Sequence, residues 1–453
     1  MMRALEFLVA LVIVAVLGVL AAVVMPGSGH VERSLDIGKD MRQVYDVLDN
    51  FHRFPDYSVL STLDPKVEFT FSGKAYGVGA ETAWTSTDSK VGNGGLTIAS
   101  ATPNFDKIDS NTKSATIVWD LDNSWRGLDK HFTLDLSRKG SRGQLTTVKW
   151  SYDVSYGWNL VNRFANLYIH GDPDSFIQFS LNNLQNVLAG VPNIDYSTLI
   201  PTIAQTQQAP VLLVSTQIAR KDGLDGLDDA TKKAIGEIQA AAKKLGVNVT
   251  GPRVLITTNY GDETFTFDVA MTIDSSTLTV AGQSQQLTAA TPPSLDASSG
   301  APASASTAAA PADTSAPGSR DRFGRLVIDD NVRAELAFGG AALKGVWNGT
   351  FAGVPQVRDM LKAYALTHGY KFDDNVNRSY DILVTPEVKD AGGNVTTYAK
   401  YEVYLPISNA PQQTPEQEAG MQPPSPDADS PASAPASAGT AAPAPAQAAS
   451  AGK

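Results

Sequence analysis

The strand-like string Tyr401-Glu-Val-Tyr-Leu-Pro-Ile407 contains the residue best suited to chemistry in this chain. On the two-residue period of a strand, Glu402 shares a face with Tyr404 and Lys400. A carboxylate beside aromatic rings suits an organic cation, which is attracted by the charge and by the ring faces together. The alternative is an exposed glutamate paired with Lys400, and the residues alone favour that alternative.

The rest of the chain offers no convincing catalytic or metal-binding set. The segment His170-Gly-Asp-Pro-Asp174 contains an imidazole and two carboxylates, but its spacing fits no known metal loop, and its Gly and Pro indicate a helix break. Ser215 and Ser379 lack the context of a nucleophile elbow, and cysteine is absent. The other histidines are scattered: His30, His52, His131 and His368. We therefore expect no metal and no cofactor, and a non-enzymatic function is favoured.

Residues 31–200 read as one folded block. A strand-like start at His30 and a helical Lys39–Leu48 precede six strand-like runs, and a helical stretch places Phe176, Phe179, Leu184 and Leu188 on one side. This order predicts a curved antiparallel sheet over a long C-terminal helix, enclosing a cavity and folding independently. Tryptophans on or near the strands are ordinary packing residues or candidates to line that cavity: Trp84, Trp119, Trp125, Trp150 and Trp158.

This block resembles the START-like, or polyketide-cyclase-like (SRPBCC), family of helix-grip domains. The resemblance lies in Val31-Glu-Arg-Ser-Leu-Asp-Ile37, in Phe54-Pro-Asp, in Gly77-Val-Gly-Ala-Glu-Thr-Ala-Trp84 and in Thr146-Thr-Val-Lys-Trp150. It implies an internal hydrophobic cavity without fixing the ligand, because members bind lipids, hormones or polyketides and only some catalyse.

Residues 210–274 and 324–408 look like two halves of one α+β unit. Each half reads as a strand, a helix and a hairpin, with helices at Asp228–Leu245 and Gly353–Thr367. A repeated strand–helix–strand–strand order predicts a pseudo-twofold pair that shares a cleft.

The second half resembles the GyrI-like, or AraC-effector-binding, family of small-molecule sensors. The matching strings are Trp347-Asn-Gly-Thr-Phe, His368-Gly-Tyr370, Tyr380-Asp-Ile-Leu-Val-Thr-Pro386 and Tyr401–Ile407. By position the resemblance implies a ligand cleft lined by Glu402, Tyr380 and Trp347, with Tyr404 on the strand face of Glu402. The first half matches weakly, and without a DNA-binding helix-turn-helix direct transcription control is not expected.

Net charge and residue composition limit the classes of partner and indicate which segments are linkers. The 453 residues carry a net charge of −11, which argues against nucleic acid and against a body lying flat on anionic lipid. Residues 275–323 and 409–453 are rich in Ala, Ser, Thr, Pro and Gln, so they are predicted to be a disordered linker and a disordered tail. Residues 205–209 read as a short polar hinge.

Phe7 to Met25 forms an uncharged apolar run. At about 1.5 Å per residue it would span roughly 28 Å, close to a hydrocarbon core of about 30 Å. The alternative is a cleaved signal peptide, whose apolar region is usually about 7–15 residues. We predict a single-pass anchor in a bacterial inner membrane. Loop charges do not favour an outside body, but the absence of cysteine favours a periplasmic one.

The leading hypothesis is a membrane-anchored protein that binds small hydrophobic, amphipathic or cationic molecules as a sensor or carrier. A cyclase-like or hydrolase-like enzyme on the same cavities is the first alternative, for which Glu402 is the one candidate acid or base. The second is an envelope scaffold with Ala/Pro-rich spacers. Enclosed pockets would favour binding, and filled cores would favour the scaffold.

Overall fold

The computed structural model describes residues 2–140, 143–199, 201–291 and 316–409. Its first element is helix α1 (Met2–Val24), whose side chains are exposed from Phe7 to near its C-terminal end. The window Phe7–Val24 has a mean hydropathy of 3.3, enough to cross a membrane or to serve as a signal sequence. The predicted apolar run is therefore helical.

A first module, called here the helix-grip module, follows α1 directly. Its strands are β1 (Ser28–Ile37), β2 (Glu68–Gly73), β3 (Ala80–Thr85), β4 (Gly94–Thr102), β5 (Ser114–Asn123), β6 (Leu128–Lys139) and β7 (Leu145–Ser155). Its helices are α2 (Met41–Leu48), α3 (Phe54–Tyr57), α4 (Val59–Leu63), α5 (Leu160–Arg163) and α6 (Asp172–Ala189). The strands form one antiparallel sheet in the order β1-β7-β6-β5-β4-β3-β2, against which α6 packs.

Aromatic rings fill the space between this sheet and α6. Trp119 and Trp150 meet edge to face at 5.3 Å, and Phe132 stacks on Phe176 at 5.2 Å. Side chains thus occupy the space between the sheet and Phe176, which is part of the region where the sequence predicts a cavity. Phe179, expected to point inward, is exposed, because the buried stripe of α6 runs through Ile177, Leu181, Leu184 and Leu188 instead.

The rest of the described chain forms a second module around a nine-stranded sheet. Its main strands are β8 (Thr202–Thr206), β9 (Pro210–Ala219), β10 (Val249–Tyr260), β11 (Thr264–Ile273), β14 (Leu326–Val327), β15 (Val332–Leu336), β16 (Gly340–Asn348), β17 (Tyr380–Thr385) and β20 (Lys400–Pro406). Two separate ribbons are β12 (Thr277–Val280) with β13 (Gln283–Gln286), and β18 (Val388–Lys389) with β19 (Val395–Thr397). The helices are α7 (Gly223–Leu245) and α8 (Val354–His368).

The strand order β14-β15-β9-β11-β10-β17-β20-β16-β8 is that of a pseudo-twofold repeat. β9, α7, β10 and β11 correspond to β16, α8, β17 and β20, and the two copies meet where β10 pairs with β17. Both helices end at a glycine in the left-handed region, Gly246 at φ 71° and Gly369 at φ 77°, where a residue without a Cβ stops the helix at least cost. The order strand, helix, strand, strand thus occurs twice along this part of the chain.

The edge strands exchange between the two copies. β8 precedes β9 along the chain but pairs with β16, whereas β15 precedes β16 but pairs with β9. Residues 207–209 alone connect β8, at one end of the strand order, to β9, near the other end. A chain spans at most about 3.5 Å per residue, so three residues cannot cross a flat sheet of this width. The sheet must therefore curve to bring these two strands close together. The helices pack on the convex face, and the opposite face is concave.

Two predicted disordered or flexible segments are ordered. β12 and β13 pair within the expected linker, and Leu278, Val280 and Leu287 are buried against the α7 side of the sheet. The stretch read as a hinge contributes Gln205 and Thr206 to β8. Residues 292–315 and 410–453, where the rest of the disorder prediction falls, lie outside the described residues.

A buried polar cluster joins the two modules. Asp46 on α2 accepts hydrogen bonds from Arg42 Nε at 2.8 Å and from the Tyr196 hydroxyl at 2.8 Å. The Tyr196 hydroxyl is also 2.9 Å from Thr367 Oγ1 on α8. Burial lowers the pKa of His368, which lies beside this cluster, so its imidazole is held neutral.

The C-terminus of α8 is also held by the helix-grip module. Arg53 Nη1 donates to the Leu366 carbonyl at 2.7 Å, and Asn50 Nδ2 donates to the Thr367 carbonyl at 3.1 Å. These bonds satisfy carbonyl groups that a helix end leaves free. Apolar residues of α8 and β20 belong to the same core as α2 and α6. The shared core disfavours the expected independent folding of residues 31–200.

We predict that Tyr196→Phe lowers the free energy of unfolding by about 1–3 kcal/mol, because it leaves buried polar partners in both modules unsatisfied. In a double-mutant cycle with Thr367→Val, measured by chemical denaturation, the two losses should not add. Tyr398→Phe, at a largely exposed tyrosine, is the control and should be near neutral. Additive losses at 196 and 367 would contradict a shared network.

Asp49 generates a prediction about pH. Asp49 is 1% exposed, and neither of its carboxyl oxygens has a hydrogen-bond partner among the described residues. Burial, together with the nearby Asp46, raises its pKa well above the usual 3.8. The folded state therefore keeps a proton that the unfolded state loses, so Asp49 destabilises the fold progressively as pH rises above about 4.

We expect Asp49→Asn to raise the melting temperature at about pH 8 and to have little effect near pH 3, where Asp49 is mostly protonated in the folded and the unfolded state. Asp46→Asn, one turn earlier, is the matched contrast and should destabilise at about pH 8 because that carboxylate is paired. Equal effects of Asp49→Asn at both pH values would show that the Asp49 carboxyl is not protonated in the fold.

Candidate functional site

A cavity of about 410 Å³ opens at one end of the helix-grip module. Its walls come from the β5–β6 turn, the end of β7, the α5 region and the start of α6. The lining residues are Trp125, Arg126, Tyr152, Tyr156, Val161, Phe164, Ala165, Tyr168, Ile169, Asp172 and Pro173. Volume and lining match those of sites that hold a small, mainly apolar molecule.

The turn that carries Trp125 is fixed by local bonds. Lys130 Nζ donates to the Trp125 carbonyl at 3.1 Å and to the Asn123 side chain at 2.9 Å. Gly127 adopts φ 121°, and a Cβ there would lie 2.2 Å from Val154 Cγ2, so the close approach requires glycine. Trp125 contacts Tyr152 and Phe176 edge to face at 5.4 and 6.0 Å, which makes the aromatic core the floor of the cavity.

The polar groups of the cavity are few. Burial raises the pKa of Tyr152 and of Tyr156, so both phenols stay neutral and can donate hydrogen bonds. Arg126 is exposed at the rim and forms no ion pair with the described residues, and Asp172 lines the opposite side. The cavity therefore suits a molecule with an apolar body and a polar end.

Helix α1 ends beside this cavity. Arg163 Nη1 lies 3.2 Å from the Val23 carbonyl and 3.3 Å from the Met25 carbonyl, and it donates to both. A cation at a helix C-terminus satisfies free carbonyls and favours the negative end of the helix dipole. Arg163 lies on α5, whose neighbours Val161 and Phe164 line the cavity. The apolar helix and the cavity mouth are thus fixed side by side.

The predicted residues Glu402, Tyr404 and Tyr380 meet on the concave face of the second module. The Tyr404 hydroxyl donates to Glu402 Oε2 at 2.7 Å, and its ring stacks on Tyr380 at 4.9 Å. Lys344 Nζ lies 3.6 Å from Glu402 Oε1, so a lysine does partner the carboxylate, although it is Lys344 and not Lys400. The Glu402 side chain is 22% exposed, hence partly desolvated.

Trp347 does not belong to this group. It pairs with Tyr401, whereas Glu402 pairs with Val346, so strand alternation puts Trp347 on the convex, helix-covered face. There its indole packs over Gly353 and Nε1 donates to the Thr350 carbonyl at 2.8 Å. The expectation that Trp347 lines a cleft with Glu402 is wrong.

The first half places a carboxylate at the position equivalent to Glu402. In β11 and β9, Asp268 pairs with Ser215, as Glu402 pairs with Val346 in β20 and β16. Burial raises the pKa of Asp268 and brings that of the nearby Glu335 to about 7. No sequence motif predicts this pairing, because the two halves share little beyond their element order.

The cavity residues escaped prediction for a different reason. They come from four separate segments, and of these Trp125 alone was a candidate to line a cavity. The run from Trp158 to Ile169 does carry one signal, since a short surface helix seldom exposes as many large apolar side chains as Trp158, Val161, Leu167 and Tyr168. Among the described residues, no group of His, Asp and Glu is placed to hold a metal ion.

No protein-family model matches the chain, and no curated protein does. Among solved structures, XoxI of Bacillus cereus matches at 13% identity over 36% of this chain and 96% of its own, with a TM-score of 0.25. Truncated norcoclaurine synthase of Thalictrum flavum matches at 11% identity over 36% of this chain and 94% of its own, with a TM-score of 0.27.

A third solved structure, the C-terminal domain of EcmrR, matches at 8% identity over 47% of this chain and 99% of its own, with a TM-score of 0.28. XoxI and the synthase are helix-grip folds of the Bet v1 and START-like type. At these scores the likeness concerns the chain path alone and says nothing about a ligand.

Proposed function

We propose that this chain is a membrane-anchored binding protein for small apolar or amphipathic molecules. One observation carries the proposal: an aromatic cavity of about 410 Å³ opens directly beside the end of an apolar helix long enough to cross a membrane. A molecule with an apolar body fits the rings of Trp125, Tyr152 and Tyr168, and its polar end meets Arg126 or the phenols.

A scaffold function is the second candidate, and the filled interior of the helix-grip module favours it. The rings of Trp119, Trp150 and Phe132 pack on one another and on Phe176 near the start of α6. A scaffold needs no ligand at the mouth either. Blocking the mouth cavity therefore separates the two candidates.

We expect Ala165→Trp to fill the cavity and to abolish binding of apolar ligands, because Ala165 lines it with a small side chain. The measurement is native mass spectrometry of the full chain in detergent, together with titration of the dye 1-anilinonaphthalene-8-sulfonate. Ala189→Trp, at the exposed end of α6, is the matched control and should bind like the wild type. Equal binding by both variants, or none by the wild type, would favour the scaffold.

We further propose the concave face around Glu402, Tyr404 and Tyr380 as a second site, for organic cations. Support comes from the carboxylate beside two stacked rings and from the resemblance of this half to effector-binding sensors. Lys344 already neutralises part of the Glu402 charge, so a cationic ligand must compete with its ammonium group.

Glu402→Gln should weaken binding of an aromatic cation such as tetraphenylphosphonium by about 1.5–3 kcal/mol, the range for a charge-assisted contact. Lys344→Met should strengthen it, because the competing cation is gone. Calorimetric titration measures both, and Glu263→Gln controls for removing a carboxylate elsewhere in the module. If Glu402→Gln leaves the affinity unchanged, the concave face does not bind cations through Glu402, and the proposed second site is wrong.

A further inference from the structure

We infer that the cavity end of the helix-grip module docks onto the bilayer, so that the cavity receives an amphiphile directly from the membrane. This inference rests on the proposed function and adds the source of the ligand and the surface that recognises it. The surface, called here the docking face, consists of Leu128, Trp158, Val161, Leu167 and Tyr168.

The docking face is apolar and exposed. Leu128, Trp158 and Leu167 are 66%, 87% and 65% accessible, and Val161 and Tyr168 are similarly open. These side chains come from the start of β6, from the loop before α5, from α5 itself and from the segment between α5 and α6, so no single helix stripe explains them. Exposed apolar side chains gathered at one place indicate an interaction surface.

The docking face lies at the end of the module where α1 leaves it. Leu128 and Ser28 both pair with Ser155 of β7, so the start of β1 and the Leu128 turn lie at the same end of the sheet. Residues 25–27 alone separate α1 from β1. The module therefore cannot lie far from the membrane that α1 enters.

The apolar span and the module also touch. Ala22, which lies inside the candidate span, is 1% exposed, whereas Val24 is 86% exposed. Helix α1 packs against α5 at this point, and Arg163 of α5 holds the carbonyls of Val23 and Met25. The level of the bilayer surface is thus fixed at α5, where Val161 and Trp158 project.

The residue types of the docking face favour a lipid bilayer as its partner. Trp and Tyr place apolar rings in the acyl region and polar edges among headgroups, as in membrane interface belts. Arg163 stacks over Trp158 at 5.1 Å and brings a cation to headgroup level. The chain as a whole is acidic, at −11, so insertion of apolar side chains and not general charge attraction must drive docking.

The first test uses the absence of cysteine from the chain. Single cysteines at Leu128, Trp158 and Leu167 carry an environment-sensitive fluorophore in the full chain, reconstituted in phosphatidylethanolamine–phosphatidylglycerol nanodiscs. Nitroxide lipids should quench all three labels, and the quenching should resist salt. A cysteine at Leu224, exposed on α7 of the other module, is the control and should stay unquenched. Quenching at the docking face no stronger than at 224 would overturn the inference.

The second test asks whether docking feeds the cavity. The probe is a diazirine fatty acid placed in vesicles of the same lipids, and crosslinks in residues 160–173 are counted by mass spectrometry. Leu128→Glu with Leu167→Glu should lower crosslinking about tenfold or more, because each leucine loses the free energy of apolar burial. Neither residue lines the cavity, so the same probe delivered in detergent micelles should label this variant and the wild type equally.

The outcomes separate this inference from the proposed function. Equal crosslinking from vesicles by the wild type and the double variant would overturn docking while leaving the cavity function intact. Absence of crosslinks in the wild type from micelles would overturn the cavity function, and the nitroxide quenching would still decide whether the face docks. Ala165→Trp should block crosslinking from both vesicles and micelles.

Discussion

The packing of the two modules against each other depends on the hydrogen bonds of one buried carboxylate, that of Asp46. It lies on the helix that follows the first strand, and it receives Arg42 from its own helix and Tyr196 from the segment that leads into the second module. Tyr196 in turn meets Thr367, so one carboxylate links three parts of the chain. A buried charge is tolerated when such partners surround it. Removal of any partner destabilises the fold, because the charge then lies uncompensated in the low-dielectric core.

This joint fixes more than stability. Because α8 is held at its C-terminus by Arg53 and Asn50, the α8 half of the convex side packs against the helix-grip module. The two surfaces with candidate ligand chemistry, the mouth near α1 and the concave face near Glu402, are left outside the joint. A ligand at either site would therefore act on a rigid two-module body and not on loosely tethered domains.

The sequence predicted most elements but not the faces they present. Alternation located the strands of the helix-grip sheet and the repeated strand–helix–hairpin halves, since period-two patterns survive in any half-buried strand. It could not assign Trp347, because the covered side of β16 depends on where α8 packs. Average composition also hid the β12–β13 ribbon, in which the apolar residues Leu278 and Val280 are enough to anchor a short hairpin. The mouth cavity was beyond reach, since its four wall segments converge only in the folded chain.

The strand exchange in the second module has a consequence for its origin. Each half contributes its leading strand, β8 or β15, to the edge of the other half, so neither half is complete alone. A single copy, such as β8 with β9, α7, β10 and β11, would leave its first strand unpaired and would open one edge each of β9 and β10. Two identical copies would pair all these edges reciprocally. The module thus has the architecture of a strand-swapped homodimer whose subunits have been fused into one chain. Within one chain the two concave walls need not be identical, and at one shared position they carry carboxylates of different length, Asp268 and Glu402.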